Sequence, residues 1–386
     1  MKIIIPIRFR NDAWLGGSNY FLSLVNVLRN HTTLAGHTIY LLSNRPELLG
    51  ESGRNNVEII SSPWLEPKSG AVSAINGALD AFAHFNPRMH HFAKSVRADL
   101  ITHSIPRIFS PCKTVFWMPD FQHCSYPQYF SAGERNQRNT AVSSTSRAGH
   151  ILLSSHSAAK DFRRFFPELF RVQTHVLQFT PLIGENAANT VDSGNLRTKY
   201  RLPEKYFFLP NQFWQHKNHL TVIEALHLLP DEYQVVCTGA LDDYRFAEHM
   251  ATIHALLEKY SLQERFRILG VVPRDEMITL MRESISVINP SLFEGWSTTV
   301  EEAKYMGKRL ILSDIEVHCE QAPQDAIFFD AKDASALADS MKTVASQFDP
   351  ETEAARQMHA RANYQDAMNR FGSQYLAIAQ TIISSR

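Results

Sequence analysis

Short apolar runs rich in β-branched and aromatic residues alternate along the chain with segments whose apolar positions recur at helical spacing. In the first half the runs are KIIIPI (2–7), HTIYLLSN (37–44), NVEIISS (56–62), DLITHSI (99–105), KTVFWMP (113–119) and HILLSS (150–155). In the second half they are YFFLP (206–210), YQVVCTG (233–239), FRILGVV (266–272), SISVINP (284–290), KRLILSD (308–314) and AIFFD (326–330). Strands buried on both faces read as continuous apolar runs, and their alternation with amphipathic segments predicts parallel sheets covered by helices on both sides. Between the first two runs Phe21, Leu24, Val25 and Leu28 keep the i, i+3, i+4, i+7 rule, so a core-facing helix is expected over 18–30. Its entry is WLGGSN, where Gly16 and Gly17 are expected to form the turn out of the first strand. GENAANTVDSGN (184–195) is small, polar and aperiodic, as in a linker. The pattern divides into an α/β domain over 1–185, a second over 200–365, and a terminal segment, 366–386. In that segment Phe371, Tyr375, Ile378 and Ile382 share one helical stripe and need a surface to dock on.

Composition supports this division. At 386 residues the chain exceeds what one hydrophobic core usually serves, and 44% hydrophobic residues suffice for two. Its 39 basic and 39 acidic residues cancel, which removes the electrostatic ground for a nucleic-acid partner and requires any phosphate to be held locally. Cys112, Cys124, Cys237 and Cys319 lie far apart, unlike a disulfide framework or thiolate zinc site, and a reducing, cytoplasmic setting is expected. Pro6 and Arg8 interrupt the N-terminal apolar run, and no stretch of about 18 apolar residues occurs elsewhere, so a membrane role is confined to peripheral contact. One candidate for it is KDFRRFFPELFR (160–171), although Phe162, Phe165 and Phe166 are expected to face the core and the arginines water. His90–His91 and Asp242–Asp243 are candidate metal pairs, but adjacent residues on a helix point apart and no three-ligand spacing accompanies them.

The densest chemistry lies in SLFEGWSTTVEEAKYMGK (291–308). The strand before it ends at Pro290 and helical spacing resumes with Val300, Ala303 and Met306, so a turn over 291–297 leads into a helix. Thr298 and Glu301 fit the S/T-x-x-E capping box, which gives Glu301 a structural role. The N–H groups near Ser297, Thr298, Thr299 and Val300 then open at the positive end of the helix dipole, a ready site for a phosphate or diphosphate. Glu294 and Glu302 flank that opening; carboxylates bind phosphate poorly but accept hydrogen bonds from vicinal hydroxyls. This suits a molecule with a diphosphate in the middle and polyols at both ends, a nucleotide-sugar. The alternative is that both glutamates are solvated turn and helix residues.

PSLFEGWSTTVEEAKYMGKRLILSD (290–314) resembles, without a gap, the E-x7-E block of family 4 glycosyltransferases. The resemblance implies a donor-sugar contact for Glu294, a ribose contact for Glu302, and a diphosphate held by the backbone around Gly295, Trp296, Ser297, Thr298 and Thr299. LPNQFWQHKNHLTVIEAL (209–226) resembles the segment that sets an arginine and, five residues on, a lysine on the diphosphate. Lys217 stands at the lysine; Gln212, next to Asn211, stands at the arginine. A charge-assisted hydrogen bond is worth about 1.5–3 kcal/mol. Either His216 or Arg274 compensates for the missing cation, then, or leaving-group stabilisation rests mainly on Lys217, which opens a helix expected over 217–229. Gly16-Gly17 resembles the family's N-terminal glycine loop, while the absence of G-x-G-x-x-G argues against a dinucleotide dehydrogenase. VFWMPDFQHCSYPQYFSAGER (115–135) resembles a segment with H-D-x-x: Asp120 matches the aspartate, Pro119 replaces the histidine, and His123 is either its substitute or a packing residue. ILGVVPRDEM (268–277) resembles the loop that reads the base, with Val271 and Val272 against it. SDIEVHCEQ (313–321) resembles a further loop, which His318 and Glu320 are expected to order.

As a whole the resemblance implies two Rossmann-like domains facing across a cleft (GT-B type), with the terminal helix crossing back to dock on the N-terminal domain. It implies a retaining, metal-independent transfer of a sugar from a nucleotide-diphosphate sugar to a hydroxyl acceptor, without cofactor. The acceptor would be a growing glycan, a lipid-linked saccharide or a small hydroxyl compound, met by N-terminal loops such as 62–75. The implied setting is the assembly of surface polysaccharide or lipopolysaccharide, in the cytoplasm or on the cytoplasmic face of the inner membrane. Two rival readings stay open: a nucleotide-sugar epimerase of the same fold, and a nucleotide-sugar-binding protein whose activity Pro119 and Gln212 have weakened.

Overall fold

The computed structural model describes residues 1–9, 15–30, 36–50, 56–65, 86–107, 109–183, 192–243, 245–321 and 323–385. Every apolar run named above forms a strand. In the first half these are β1 (Lys2–Ile7), β2 (Thr38–Ser43), β3 (Val57–Ser61), β4 (Leu100–Thr102), β5 (Lys113–Met118) and β6 (His150–Leu153). A further strand, β7 (Gln173–Val176), escaped the pattern because it closes the edge of the sheet, where the half-exposed QTHV need not be apolar. The second half adds β8 (Phe207–Leu209), β9 (Val235–Cys237), β10 (Phe266–Ile268), β11 (Ser286–Asn289), β12 (Leu310–Ser313) and β13 (Ile327–Phe329).

The strands pair in parallel as two sheets, ordered β3-β2-β1-β4-β5-β6-β7 and β10-β9-β8-β11-β12-β13. Both are Rossmann-like: the order runs outward one way from the first strand, then reverses. The chain divides into two compact units, Met1–Leu182 with Asp366–Arg386, and Ile183–Gln365.

In the second unit, successive residues of one strand serve opposite faces, as a period of two requires. Phe207, Leu209, Val235 and Ile288 pack with Val222 and Ile223 of helix His219–His227 on one side. Phe208, Val236 and Val287 pack with Ile278 of helix Arg274–Glu283 and Val300 of helix Thr298–Tyr305 on the other. Each such side chain contributes roughly 1.5–3 kcal/mol by leaving water, so all three helices are pinned to the sheet at fixed positions.

In the first unit, helix Leu15–Asn30 buries Phe21, Leu24, Val25 and Leu28 as expected. It begins earlier than the spacing implied. Gly16 and Gly17 lie within its first turn, and neither takes a positive φ, so they do not form a separate turn. Phe162 and Phe166 are buried while Arg163 and Arg164 are exposed. The terminal helix is also longer than its stripe, spanning Pro350–Ser384. Its first part belongs to the second unit, where Glu353 meets the buried Lys308 ammonium at 2.8 Å. From Asp366 on it belongs to the first unit, burying Phe371, Tyr375 and Ile382. Among the described residues no helix is long and apolar enough to cross a membrane. Residues 184–191 of the expected linker and 66–75 of the acceptor loop lie outside the described residues.

Candidate active site

In an open parallel sheet, ligands sit beyond the carboxyl ends of the strands where the order reverses, because there two neighbouring loops turn opposite ways and leave a crevice. In the second unit that point lies between β8 and β11. The loop after β8 carries Asn211, Gln212 and Lys217; the loop after β11 carries Ser291, Glu294 and the helix Thr298–Tyr305. Residues separated by about eighty positions therefore meet for a topological reason.

The meeting is an ion pair. Lys217 Nζ donates to Glu294 Oε1 at 2.6 Å, with the side chains only 15% and 10% exposed. Burial is the largest influence on the Glu294 carboxyl and pushes it up, but the Lys217 ammonium and its hydrogen bond, with the neighbouring histidines, together pull it down further, so it rests below the usual carboxylate range. His216 and His318 also face this group, but burial holds their imidazoles neutral, down to about 3 and about 4. His216 therefore does not supply the positive charge missing at Gln212. Lys217 itself ends a short 3-10 turn, Gln215–Lys217, and the helix after it starts at His219, later than expected.

Glu302, 4% exposed, has its own cation: Arg274 Nη2 lies 2.7 Å from Glu302 Oε1, an ion-pair contact without hydrogen-bond alignment. Arg274 opens helix Arg274–Glu283, which the packing against Val300 sets beside the glutamate. Both glutamates of the motif thus carry a basic partner.

The helix opening differs from the expected capping box. Ser297, extended at φ −78° and ψ 112°, is the N-cap and its hydroxyl accepts from Val300 N; Thr298 is already helical. Glu301 does not fold back to the cap. It is buried, which raises its pKa, and its Oε1 accepts from Gln321 Nε2 (3.0 Å) and Lys304 Nζ (3.4 Å). Ser297 N is not an open donor either, since it donates to Gln321 Oε1 at 3.3 Å. The Thr298 and Thr299 N–H groups, first of the helix, keep no acceptor among the described residues.

Behind the opening runs a buried polar network. Asn211 Nδ2 donates to Asn289 Oδ1 (3.2 Å), Asn289 Nδ2 to Ser297 Oγ (2.8 Å), and Thr299 Oγ1 to Asn211 Oδ1 (3.3 Å). Asn211 is therefore scaffold: its amide ties the end of β8 to the cap and is not presented to a ligand. Gly239, at φ 142°, makes the close packing behind it possible, because a Cβ there would lie 2.5 Å from Asn211 O. Ser291 Oγ lies 2.7 Å from Asn289 Oδ1 and 2.8 Å from Glu294 Oε1, so its single proton serves the amide or the carboxylate.

Of the remaining candidates, Gln212 and Trp296 are half-buried, as is Gly295; Val271 is exposed and Val272 packs partly against the core. His318 lies on a short helix, Glu316–Gln321, rather than in a loop, with Nδ1 at 3.0 Å from Ser313 O. Asp120 and His123 belong to the first unit, as do Gly16 and Gly17. Asp120 accepts from Gln122 N at 3.0 Å and orders its own loop. His123 is buried, its Nε2 3.0 Å from Asn139 Oδ1, which is the geometry of a packing residue. Sequence reasoning missed Asn289, Ser291 and Gln321. Asn289 and Ser291 bound the strand end, a position that topology marks, whereas no spacing rule points to Gln321.

The chain is also similar to known proteins in sequence and fold. The family model described as "Glycosyl transferases group 1" matches residues 194–363, which holds the whole of this site. The O-antigen chain mannosyltransferase RfbU of Salmonella typhimurium is 22% identical over 183 residues, 44% of this chain and 50% of RfbU. The chain thus matches about half the length of that curated relative. Among solved structures, a glycosyltransferase from Rickettsia africae superposes with a TM-score of 0.69 at 16% identity, covering 100% of this chain and 99% of that one. Anabaena HepE, solved in complex with UDP and glucose, gives 0.67 at 16% identity with 100% of both chains covered. These likenesses establish the fold class, two Rossmann-like units of the GT-B type.

Proposed function

We propose that the protein is a glycosyltransferase that moves a sugar from a nucleotide-diphosphate sugar to a hydroxyl acceptor. The observation that carries this reading is the pairing of Lys217 with Glu294 at the topological switch point, beside the open Thr298 and Thr299 N–H groups. The group 1 match over 194–363 and the UDP and glucose bound by HepE support a donor of this class. In this reading the diphosphate lies on the helix opening and on Lys217, Glu294 turns to the sugar hydroxyls, and Glu302 turns to the ribose. The second unit is the donor domain, the first the acceptor side.

In this reading donor binding parts the Lys217–Glu294 pair, which stands at 2.6 Å, so that Glu294 is freed for the sugar hydroxyls. Splitting is favourable when both ends find new partners: the ammonium a phosphate oxygen, the carboxylate two hydroxyls. Preorganised donors at the site of developing charge stabilise the departing diphosphate without a metal ion. Retention follows if the diphosphate oxygen takes the acceptor's proton on the face it leaves, which needs no protein base. By likeness to RfbU, the acceptor is a surface glycan or its lipid-linked precursor, met at the cytoplasmic face of the membrane.

The test is Glu294→Ala and Lys217→Ala, with glycosyl transfer and donor hydrolysis assayed separately. Near-normal transfer in both variants overturns the site. Epimer formation from donor alone, followed by NMR, would assign the chain to epimerases, and donor binding without turnover would leave a binding protein. Thermal stabilisation by a panel of nucleotide-sugars identifies the donor, since a ligand that binds only the folded state raises its stability by mass action.

A further inference from the structure

The Gln321 side chain makes three hydrogen bonds, all to the opening of helix Thr298–Tyr305. Its Oε1 accepts from Ser297 N at 3.3 Å, and its Nε2 donates to Ser297 O and to Glu301 Oε1, both at 3.0 Å. A primary amide that meets the N–H and the C=O of one residue copies the pairing of a neighbouring strand, and so fixes that residue's backbone dihedrals. Both residues are buried, so water does not compete for these bonds. The amide cannot be reversed, because its oxygen would then face the Ser297 carbonyl and the Glu301 carboxylate. Lys304 closes the frame, with Nζ donating to Glu301 Oε1 and to the Gln321 carbonyl at 3.1 Å.

We infer that Gln321 is the positioning residue of the diphosphate site: it locks the Ser297 cap, consumes the Ser297 N–H, and leaves the Thr298 and Thr299 N–H groups as the donors offered to the anion. This rests on the donor-site reading above and adds to it a residue that touches no donor atom. Released from Gln321, Ser297 keeps its Oγ bonds to Asn289 Nδ2 and Val300 N and its carbonyl bond from Glu301 N, but its N–H is left free and competes for the anion. A helix opening held from behind meets the departing diphosphate without reorganising, which is the condition under which such donors lower a barrier.

The experiment compares wild type with Gln321→Met, which keeps the length of the side chain and removes all three bonds. Glu301→Gln retains an acceptor for Nε2, and Glu301→Leu removes it. Calorimetry with UDP, GDP and ADP and with uridine, guanosine and adenosine separates diphosphate from nucleoside binding; circular dichroism and thermal unfolding report folding. Gln321→Met is expected to bind the diphosphate about tenfold more weakly, as loss of one or two well-formed hydrogen bonds implies, with nucleoside affinity unchanged and kcat falling more than KM rises. Glu301→Gln should match wild type and Glu301→Leu should fall between. A folded Gln321→Met that binds diphosphate as wild type does, or that loses nucleoside and diphosphate affinity equally, overturns the inference. Should Gln321→Met not fold, Glu301→Leu decides by the same criterion. Wild type that binds no nucleoside diphosphate removes the donor reading and this inference with it; intact wild-type binding with insensitive variants removes the inference alone.

Discussion

The two units share a strand order and reverse it at equivalent places, yet their switch points are filled differently. In the first unit the reversal falls between β1 and β4; Arg8 follows β1 and Arg107 lies beyond β4, but an aromatic cluster drawn from helix Leu15–Asn30, β5 and the end of β4 packs near it. Tyr20 Oη lies 2.7 Å from His103 Nε2, its ring stacks on Trp117 at 4.1 Å, and the chain of contacts runs through Thr102 to Tyr375 Oη at 3.0 Å. Burial holds His103 neutral, down to about 3. In the second unit the equivalent place holds a lysine, two glutamates and an arginine in two ion pairs beside open backbone donors. The described side chains at the two reversals thus differ: an aromatic cluster packs near one, and two ion pairs stand near the other. The fold provides the place; the side chains decide whether it is a core or a site.

The largest effect should come from removing the cation at the charged switch point. Lys217→Ala is expected to lower kcat for transfer by about 10²–10³, the usual loss for one preorganised charge donor. Tyr20→Phe at the other switch point should leave transfer by folded protein within a few-fold. Equal losses of kcat in the two variants would end the distinction between aromatic cluster and site.

Stability sharpens the same contrast. Lys217→Met strands Glu294 in a largely buried position and should cost roughly 3 kcal/mol in urea unfolding, whereas Lys217→Met with Glu294→Gln should recover most of it. Tyr20→Phe should cost about 1–3 kcal/mol by leaving His103 Nε2 without its partner.

Acid should loosen both units. In the second, burial lowers His216, His219 and His318 to about 3, about 3 and about 4 and lowers His249 as well; in the first it lowers His103 and His150 to about 3 and about 4 and lowers His37, His123 and His175 as well. Burial is the chief cause in each. An imidazole held neutral binds fewer protons folded than unfolded between its folded value and about 6.5, so stability falls as pH drops through that window, by about 1.4 kcal/mol per pH unit per histidine. The depressed Glu294 acts in the same direction at lower pH. Hydrogen exchange of each unit between pH 7 and about 4.5 measures the two slopes; a flat profile in either unit would refute the burial of neutral imidazoles there.

A smaller effect than at Lys217 is expected at Arg274, whose side chain is 42% exposed. Arg274→Ala leaves the buried Glu302 without its ion-pair partner and should cost roughly 1–3 kcal/mol while weakening donor binding, and Arg274→Lys should restore part of both.

Much of this was legible in the amino-acid order because the signals are local. Continuous apolar runs marked the strands that are buried on both sides; β7 escaped because an edge strand needs no such run. The motif around Glu294 and Glu302 was readable because its residues lie on one turn and one helix. The cap was misplaced by one position, Ser297 for Thr298, since both residues can cap and only backbone dihedrals separate them. Asn211 stands beside Gln212 in the chain, and only its burial and its amide bond to Asn289 show that its side chain ties the strand end to the cap.

By itself, then, the sequence determined the strands, the doubly wound class, the motif helix and the residue types able to hold a nucleotide-sugar, since each depends on period, composition or short spacing. The tertiary structure decided which of those residues face one another. Lys217 meets Glu294 because β8 and β11 become neighbours at a switch point, Arg274 meets Glu302 and Gln321 braces Ser297 through the elements after β10 and β12, and such contacts between distant segments leave no periodic trace along the chain.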